Sequence, residues 1–505
     1  MNTTQFSPLQ QRIFKFVAEE TGNASIEAVA GSGKTTTIVA AASYLPPTSR
    51  NLFLAFNKSI AEELATRLPA HVTAKTLNSL GHGAWAAKLR PARLKLDANK
   101  TRAILDKRVV EADRKLYGSL VTRLVALAKS AGLAPAGAPN AYPLVDDTLD
   151  AWLDMIEYHD LEVPEEGNVN RAIDLARKVL SESIRQAFLG CIDFDDQIYM
   201  TVVYRAPMSR FDFVFVDEAQ DLNCIQHQLI AMAIKSGGRL IAVGDPRQAI
   251  YGFRGADASS MENLQRRFRT VTLPLSISYR CPQAVVREAQ KLVSHIQSSE
   301  TAPVGVVETL DAYNADTFND SDAIVCRNAR PLVALAFQLI RAGRGCRVLG
   351  RDIGQGLQAL IKKMNAADVD ALETKLDAYL DRETRRLLAK NQDAKVAALE
   401  DKVDTIRLFI DQLGEDERTI DALFGKIDAL FTDNGHGKLT LCTVHKAKGL
   451  EWERVFILDA HLMPSKYARQ DWQLAQETNI HYVAITRAKR ELRYIDSEGF
   501  KAKKQ

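Results

Sequence analysis

No run of apolar residues in this sequence approaches the ~18 that a membrane-crossing helix requires, which removes the helical membrane classes. The six cysteines, Cys191, Cys224, Cys281, Cys326, Cys346 and Cys442, lack any CxxC or Cys/His spacing, so no zinc site is encoded. Most lie inside apolar runs and are expected as buried thiols. A net charge of +3 is too small for composition alone to announce a nucleic-acid partner, so any such surface has to be local. Residues 1–11 show neither the apolar core of a secretion signal nor an Arg-rich amphipathic transit pattern. The expected location is therefore cytoplasmic, nucleoid-associated in a prokaryote or phage and nuclear in a eukaryote. Internal repeats and low-complexity segments are also missing, apart from a basic tail at 499–505 that is expected to be disordered.

What is present is ordinary globular composition, 46% hydrophobic and 26% charged, over 505 residues. That length exceeds one compact core, since domains run ~100–200 residues, so two core domains with insertions are expected. Short apolar runs bounded by turn residues at 25–29, 51–56, 211–216, 239–243, 323–326, 439–443 and 455–458 are strand candidates, and helical patterns separate them. Such alternation implies parallel sheets and an α/β class. Residues 81–189 and 364–433 break the alternation with Leu, Ala and charged residues at helical spacing, and predict helical insertions, the first with a surface loop near 134–143. The expected organisation is a first core domain of 1–80 and 191–277 around an insertion at 81–190. A second, of 278–363 and 437–498, surrounds a short insertion at 364–436.

The first strand candidate runs into Ala30-Gly31-Ser32-Gly33-Lys34-Thr35, and Thr36 then opens a helical pattern to 43. Small residues let backbone N–H groups surround phosphate oxygens, the helix N-terminus adds a favourable dipole, Lys34 supplies a cation and Thr35 a hydroxyl for Mg²⁺. The first glycine of the usual phosphate-loop pattern is replaced by Ala28. A second strand candidate, Phe213-Val214-Phe215-Val216, ends in Asp217-Glu218. Asp217 is placed to hold Mg²⁺, and Glu218 to orient and deprotonate an attacking water. Phosphoryl transfer also needs cations at the γ-phosphate, for which Arg280 and Arg487 are candidates. Spacing alone allows either to be a surface ion pair.

The segment from Val243 to Ala256, which contains Gly244-Asp245-Pro246-Arg247-Gln248 and Tyr251-Gly252-Phe253-Arg254, resembles the sensor motif of the UvrD/Rep/PcrA helicases of superfamily 1. Gln10 in Phe6-Ser7-Pro8-Leu9-Gln10 is similar to their adenine-reading glutamine motif. Thr443-Val444-His445-Lys446-Ala447-Lys448-Gly449-Leu450-Glu451-Trp452 resembles their fifth motif, and the Arg487 segment their sixth. Asn57-Lys58-Ser59-Ile60-Ala61 and the segment from Lys75 to Leu80 look closest to the F-box DNA helicase branch and its phage and prokaryotic relatives.

The resemblance implies two RecA-like P-loop NTPase core domains with parallel sheets, each carrying a helical insertion. It implies an ATP-dependent DNA helicase moving 3′-to-5′ on single-stranded DNA, with ATP and Mg²⁺ as cofactors, in repair, recombination or replication. Catalysis would fall to Lys34, Asp217, Glu218, Gln248, Arg280 and Arg487. The nucleotide would be held by Gln10, Ala30, Gly31, Ser32, Gly33, Lys34, Thr35, Thr36, Tyr279, Arg280, Glu451 and Arg487, with Thr35 and Asp217 on the metal. Gln10 would read adenine, Tyr279 stack on it and Glu451 contact the ribose. Gln248 would sense the γ-phosphate, and Arg280 from the first domain and Arg487 from the second would neutralise it. DNA contacts would be Phe56, Thr76, Asn78, Tyr251, Phe253, Arg254 and His445. Phe253 and Arg254 lie a few residues beyond Gln248, so one loop links nucleotide state to base stacking.

Two departures qualify the resemblance. The family's aromatic after the second strand stands one place closer to the asparagine, as Ala55-Phe56-Asn57-Lys58, so Phe56 faces either the core or the DNA. The second insertion is short, which leaves open an alternative: a DNA-stimulated translocase that remodels protein–DNA complexes, or serves a separate nuclease or repair partner, without unwinding. Partners in either case are single-stranded DNA and its junctions with duplex.

Overall fold

The computed structural model describes residues 6–501, except 92, 160, 162, 165–166, 251–258, 390–392, 432–438, 467 and 469. The chain forms two compact units. The first comprises the residues up to Ala28 with Gly33–Leu275, and the second Val29–Ser32 with the residues from Ser276 onward.

The first unit is built on β1 (Ala24–Ala28), β2 (Asn51–Ala55), β3 (Val72–Thr76), β4 (Phe211–Val216), β5 (Ile234–Gly244) and β6 (Val271–Leu275). They form one six-stranded sheet in the order β3-β2-β4-β5-β1-β6, with every pairing parallel. The central strands are continuous apolar runs because both faces are covered. On one face Ile26, Phe53, Phe215, Ile241 and Val243 pack with Ile13, Phe16 and Ile38 from α1 (Pro8–Glu19) and α2 (Lys34–Ala42). The alternate residues Leu52, Leu54, Val214, Val216 and Leu240 face the opposite way, into a core shared with the helical insertion.

After α3 (Lys58–Arg67), that insertion contains α4 (Leu77–Lys88), α5 (Lys100–Arg108), α6 (Glu111–Ala131), α7 (Leu149–Tyr158), α8 (Val169–Phe188) and α9 (Asp196–Val203). Its local signals are conventional: Thr76, Thr148 and Asn168 cap helix starts with their side chains, and left-handed Gly132 ends α6. Trp85 and Trp152 are fully buried, and each satisfies its indole N–H, on Ala187 O and on Asp147 Oδ1. The unit closes with α10 (Cys224–Ala233) and α11 (Ser260–Phe268).

The second unit has β7 (Val306–Leu310), β8 (Ala323–Cys326), β9 (Cys346–Leu349), β10 (Leu439–Thr443), β11 (Trp452–Leu458) and β12 (Ala488–Ile495), in the order β7-β12-β11-β8-β10-β9 and again all parallel. Its helices are α12 (Gln283–Gln290), α13 (Ala329–Arg341), α14 (Arg351–Met364), α15 (Val369–Ala389), α16 (Asp393–Ile410), α17 (Ile420–Leu430), α18 (Val444–Ala447) and α19 (Asp471–Ile485). Ile324, Leu441 and Phe456 share a core with Leu372, Leu376, Val403 and Phe409 of α15 and α16. α14 packs its apolar face against α17. No described helix is long and apolar enough to cross a membrane.

The expectation of buried thiols holds for Cys281, Cys326 and Cys442, but not for the others. Cys191 and Cys346 are half-buried, and Cys224, the first residue of α10, is exposed because it lies off the buried stripe of Ile225, Leu229, Ile230 and Ala233.

Gly81 on α4 faces α9 so closely that an added Cβ would lie 2.2 Å from Gln197 O. Gly81→Ala is expected to cost about 1–3 kcal/mol by overpacking, read as a lower denaturation midpoint by circular dichroism. An unchanged midpoint would mean that α4 and α9 separate freely.

Candidate nucleotide and nucleic-acid site

Three neighbouring strands of the first sheet, β4, β5 and β1, bring the charged candidates to their carboxyl ends, where parallel sheets commonly bind ligands. After β1 the chain turns through Gly33, φ 74, which begins α2 with no side-chain cap. The first amides of α2 are thereby left for a ligand. Lys34 Nζ lies 4.0 Å from Glu218 Oε1. Thr35 Oγ1 donates to Asp217 Oδ2 at 2.6 Å. Burial, reinforced by neighbouring Glu218, pushes the Asp217 carboxyl up to about 6. Glu218 itself sits at φ 53, ψ 43, a left-handed conformation that few non-glycine residues adopt, and its N–H donates to Asp217 Oδ1 at 2.9 Å.

A line of hydrogen bonds runs on from Glu218. Gln220 Nε2 donates to Glu218 Oε2 at 2.5 Å, the Asp245 N–H donates to Gln220 Oε1 at 3.0 Å, and Gln248 Nε2 donates to Asp245 Oδ2 at 2.6 Å. Gln10 joins α1 to α2: its Oε1 accepts from the Ser7 N–H and its Nε2 donates to Thr37 Oγ1, each at 2.9 Å. One amide N–H of Gln10 remains beyond those two bonds.

The second unit gathers another group. Its short segment Val29–Ser32 includes Gly31, φ 71, where an added Cβ would lie 2.5 Å from Arg280 Cβ and 2.8 Å from Ser278 Oγ. Only glycine meets both the backbone angle and the approach. The Tyr279 N–H donates to Gly31 O, and the Ala30 N–H to Tyr482 Oη, each at 2.9 Å. The Tyr279 ring is half exposed rather than core. Arg280 lies with Arg487 in this unit, within the 278–363 bounds expected for the second domain and not in the first domain from which the resemblance drew it, because the chain passes from one unit to the other at Ser276. Arg280 Nε donates to Glu451 Oε2 at 2.6 Å, so Glu451 is ion-paired. Arg487 is 1% exposed and donates to Val483 O and Leu450 O, both at 3.1 Å.

Of the residues expected at DNA, Phe56 is 53% exposed at the end of β2, which resolves its two orientations in favour of solvent. Thr76 caps α4 and accepts from the Ser79 N–H. Asn78 Nδ2 donates to Phe194 O at 3.0 Å and to Gln197 Oε1 at 2.9 Å, leaving its Oδ1 as the polar atom for a ligand. His445 is half-buried on α18. Tyr251, Phe253 and Arg254 lie outside the described residues.

The residues fit a triphosphate carrying a divalent cation. Ser32 Oγ is buried with no hydrogen-bond partner among the described residues, and the uncapped start of α2 offers further donors. Asp217, held by Thr35 and short of a full counter-charge, is suited to a hard cation. Sequence reasoning missed Gln220 and Asp245 as links. The available signal was Asp245 directly after a third apolar strand, with Gln220 two residues beyond the acidic pair. Gln220→Leu leaves the buried Asp245 N–H without its acceptor, and a loss of about 1–3 kcal/mol is expected in urea denaturation. An unchanged midpoint would show that the line is not held together by this side chain.

Comparison with known proteins agrees with this arrangement. A family model described as the UvrD/REP helicase N-terminal domain matches residues 9–269, and the UvrD-like helicase C-terminal domain matches residues 355–498. The chain is 25% identical to F-box DNA helicase protein 1 of Schizosaccharomyces pombe over 92% of its own length and 55% of the relative's. It is 26% identical to F-box DNA helicase 1 of Gallus gallus over 95% of its own length and 48% of that protein's. A shorter match, 28% identical over 28% of the chain and 21% of the relative, is to the ATP-dependent DNA helicase PcrA of Leuconostoc citreum. The chain thus spans about half the length of the F-box relatives it matches. With two parallel-stranded units of RecA-like type and both family models in order along it, the chain belongs to the UvrD-like helicase family.

Proposed function

We propose that this chain is an ATP-dependent DNA helicase that translocates 3′-to-5′ on single-stranded DNA and opens duplex ahead of it. The observation that carries this reading is the convergence of Lys34, Thr35, Asp217, Glu218 and Gln248 at the ends of adjacent parallel strands, in a chain of helicase ancestry.

In this reading the amides that begin α2, Ser32 and Lys34 bind the β- and γ-phosphates. Gln10 uses its remaining amide hydrogen on the base, against which the Tyr279 ring stacks. Thr35 and Asp217 would hold Mg²⁺, which would supply charge neutralisation at the phosphate oxygens. Glu218 takes the proton of the attacking water, and its strained backbone fixes where that carboxylate points. Arg280 and Arg487 meet the charge that develops on the γ-phosphate. To do so Arg487 exchanges its backbone carbonyl partners for phosphate, and Arg280 releases Glu451 to the ribose. The cycle of ATP binding and hydrolysis drives the motor stroke. The line from Glu218 to Gln248 carries the state of the γ-phosphate toward the residues that follow Gln248.

Phe56, Thr76, Asn78 and His445, with Tyr251, Phe253 and Arg254, are assigned to the strand. They would grip it by stacking and phosphate contact, which tolerate any sequence. The short second insertion favours a second reading, a DNA-stimulated translocase that strips proteins from DNA or serves a separate nuclease. Strand displacement by the purified chain decides between the two. Unwinding from a 3′ overhang supports the helicase, preference for a 5′ overhang overturns the polarity, and stimulated turnover without displacement supports the translocase.

Three substitutions test the assignments through phosphate release. Lys34→Ala is expected to abolish turnover, and Glu218→Gln to retain ATP and hold DNA tightly. Arg487→Ala is expected to slow hydrolysis by ~10³ while sparing nucleotide binding. Normal turnover in the Arg487 variant would remove it from the site.

A further inference from the structure

Inside the first helical insertion lies a cluster of charges that the proposed mechanism does not use. Lys100 of α5 and Lys129 of α6 have side chains 0% and 1% exposed. Lys100 Nζ lies 2.5 Å from Asp196 Oδ2 and donates to Ser183 O of α8 at 2.7 Å. Lys129 Nζ lies 2.6 Å from Asp193 Oδ2 and 2.8 Å from Asp196 Oδ1. The two aspartates also close a turn on each other: the Asp193 N–H donates to Asp196 Oδ2 and the Asp196 N–H to Asp193 Oδ1, both at 2.9 Å. Two cations and two anions leave no formal charge, and three helices are tied to one turn.

Burying four charges is a poor way to gain stability, because desolvation offsets most of the attraction and apolar side chains of similar size serve as well. Directional bonds from fixed ammonium groups do something apolar packing does not: they set where the turn sits. That turn carries Phe194, whose ring is 55% exposed. Its carbonyl, together with Gln197 Oε1, takes both amide hydrogens of Asn78. Gln197 Nε2 is also 3.3 Å from His82 Nδ1, and Thr201 Oγ1 donates to Gly81 O at 2.7 Å, so α9 holds α4 at several points. The orientation of the Asn78 amide, and hence of its remaining oxygen, is dictated by a turn that the buried ions anchor.

We infer that Lys100, Lys129, Asp193 and Asp196, acting through Gln197, are positioning residues for the DNA-binding edge of the first unit, and fix the orientation in which Asn78 meets the strand. The inference rests on the reading that Asn78 contacts DNA. It separates two functions of the insertion: the core around Trp85 and Trp152 makes it fold, while the ion cluster sets the geometry of one surface.

The test is ATP turnover of the full chain against the concentration of an oligo-dT strand, with the thermal midpoint recorded for each variant. Gln197→Ala removes the link to Asn78 and leaves the ions intact. Lys129→Met combined with Asp193→Asn removes a cation and an anion together, so that net charge in the cluster is unchanged. Each is expected to raise the half-saturating oligonucleotide concentration ~10-fold, with turnover at saturating DNA and without DNA held within about twofold. A role confined to folding would lower the thermal midpoint or the active fraction and leave that concentration unchanged. Should the double variant fail to fold, Lys129→Arg, which keeps the charge and shifts its bonds to Asp193 and Asp196, takes its place with the same expected rise. If Asn78→Ala weakens the strand response but Gln197→Ala and the folded double variant do not, the positioning inference is overturned by itself. If wild-type turnover ignores the oligonucleotide, or Asn78→Ala leaves the response unchanged, the reading beneath it falls as well.

Discussion

A carboxylate enclosed at the end of a parallel strand, Asp217 after β4, has to be compensated, and the residues around it are arranged by that need. Thr35 donates to one of its oxygens and the Glu218 N–H to the other, yet burial still pushes the carboxyl up to about 6. A second acid, Glu218, stands beside it in a left-handed backbone conformation. Lys34 stands 4.0 Å from Glu218, and two adjacent acids at the end of a strand are suited to a nucleotide-bound divalent cation. The sheet order makes this possible, since β4, β5 and β1 are neighbours and end together.

From the same acids the structure extends outward by hydrogen bonds rather than by packing. Gln220 serves two masters, donating to Glu218 and accepting from the Asp245 N–H, and Asp245 in turn fixes the Gln248 amide. An amide side chain suits that position because it offers donor and acceptor at fixed separation. Glu218 and Gln248 are thereby joined through Gln220 and Asp245. The first insertion repeats the logic at larger scale, with buried ions holding a turn and the turn holding Asn78.

Much of this is legible in the sequence. The central strands announce themselves as unbroken apolar runs, Phe213-Val214-Phe215-Val216 being the clearest, because parallel strands covered on both faces have no reason to alternate. The strands that went unrecognised, β3, β6, β7 and β9, are the sheet edges. There one flank is open, and polar residues or Pro274 are tolerated. β12 was hidden for a related reason: Lys489, Arg490, Glu491 and Arg493 interrupt it, although Leu492 and Ile495 are buried. The phosphate loop and the acidic pair were readable because they directly follow central strands. Gln220 carries no charge, and only its place two residues beyond the acidic pair singles it out. Lys100 and Lys129 look like any solvated lysine on a helix until their depth is known.

The central claim is that the hydrogen-bonded line ending at Gln248 couples nucleotide state to the grip on DNA. The most direct measurement is the affinity for a fluorescent single strand with ADP and with a non-hydrolysable ATP analogue, in the wild type and in Gln248→Ala. The account predicts a nucleotide-dependent difference in the wild type that vanishes in the variant while nucleotide affinity changes little. An equal nucleotide-dependent difference in both proteins would contradict it.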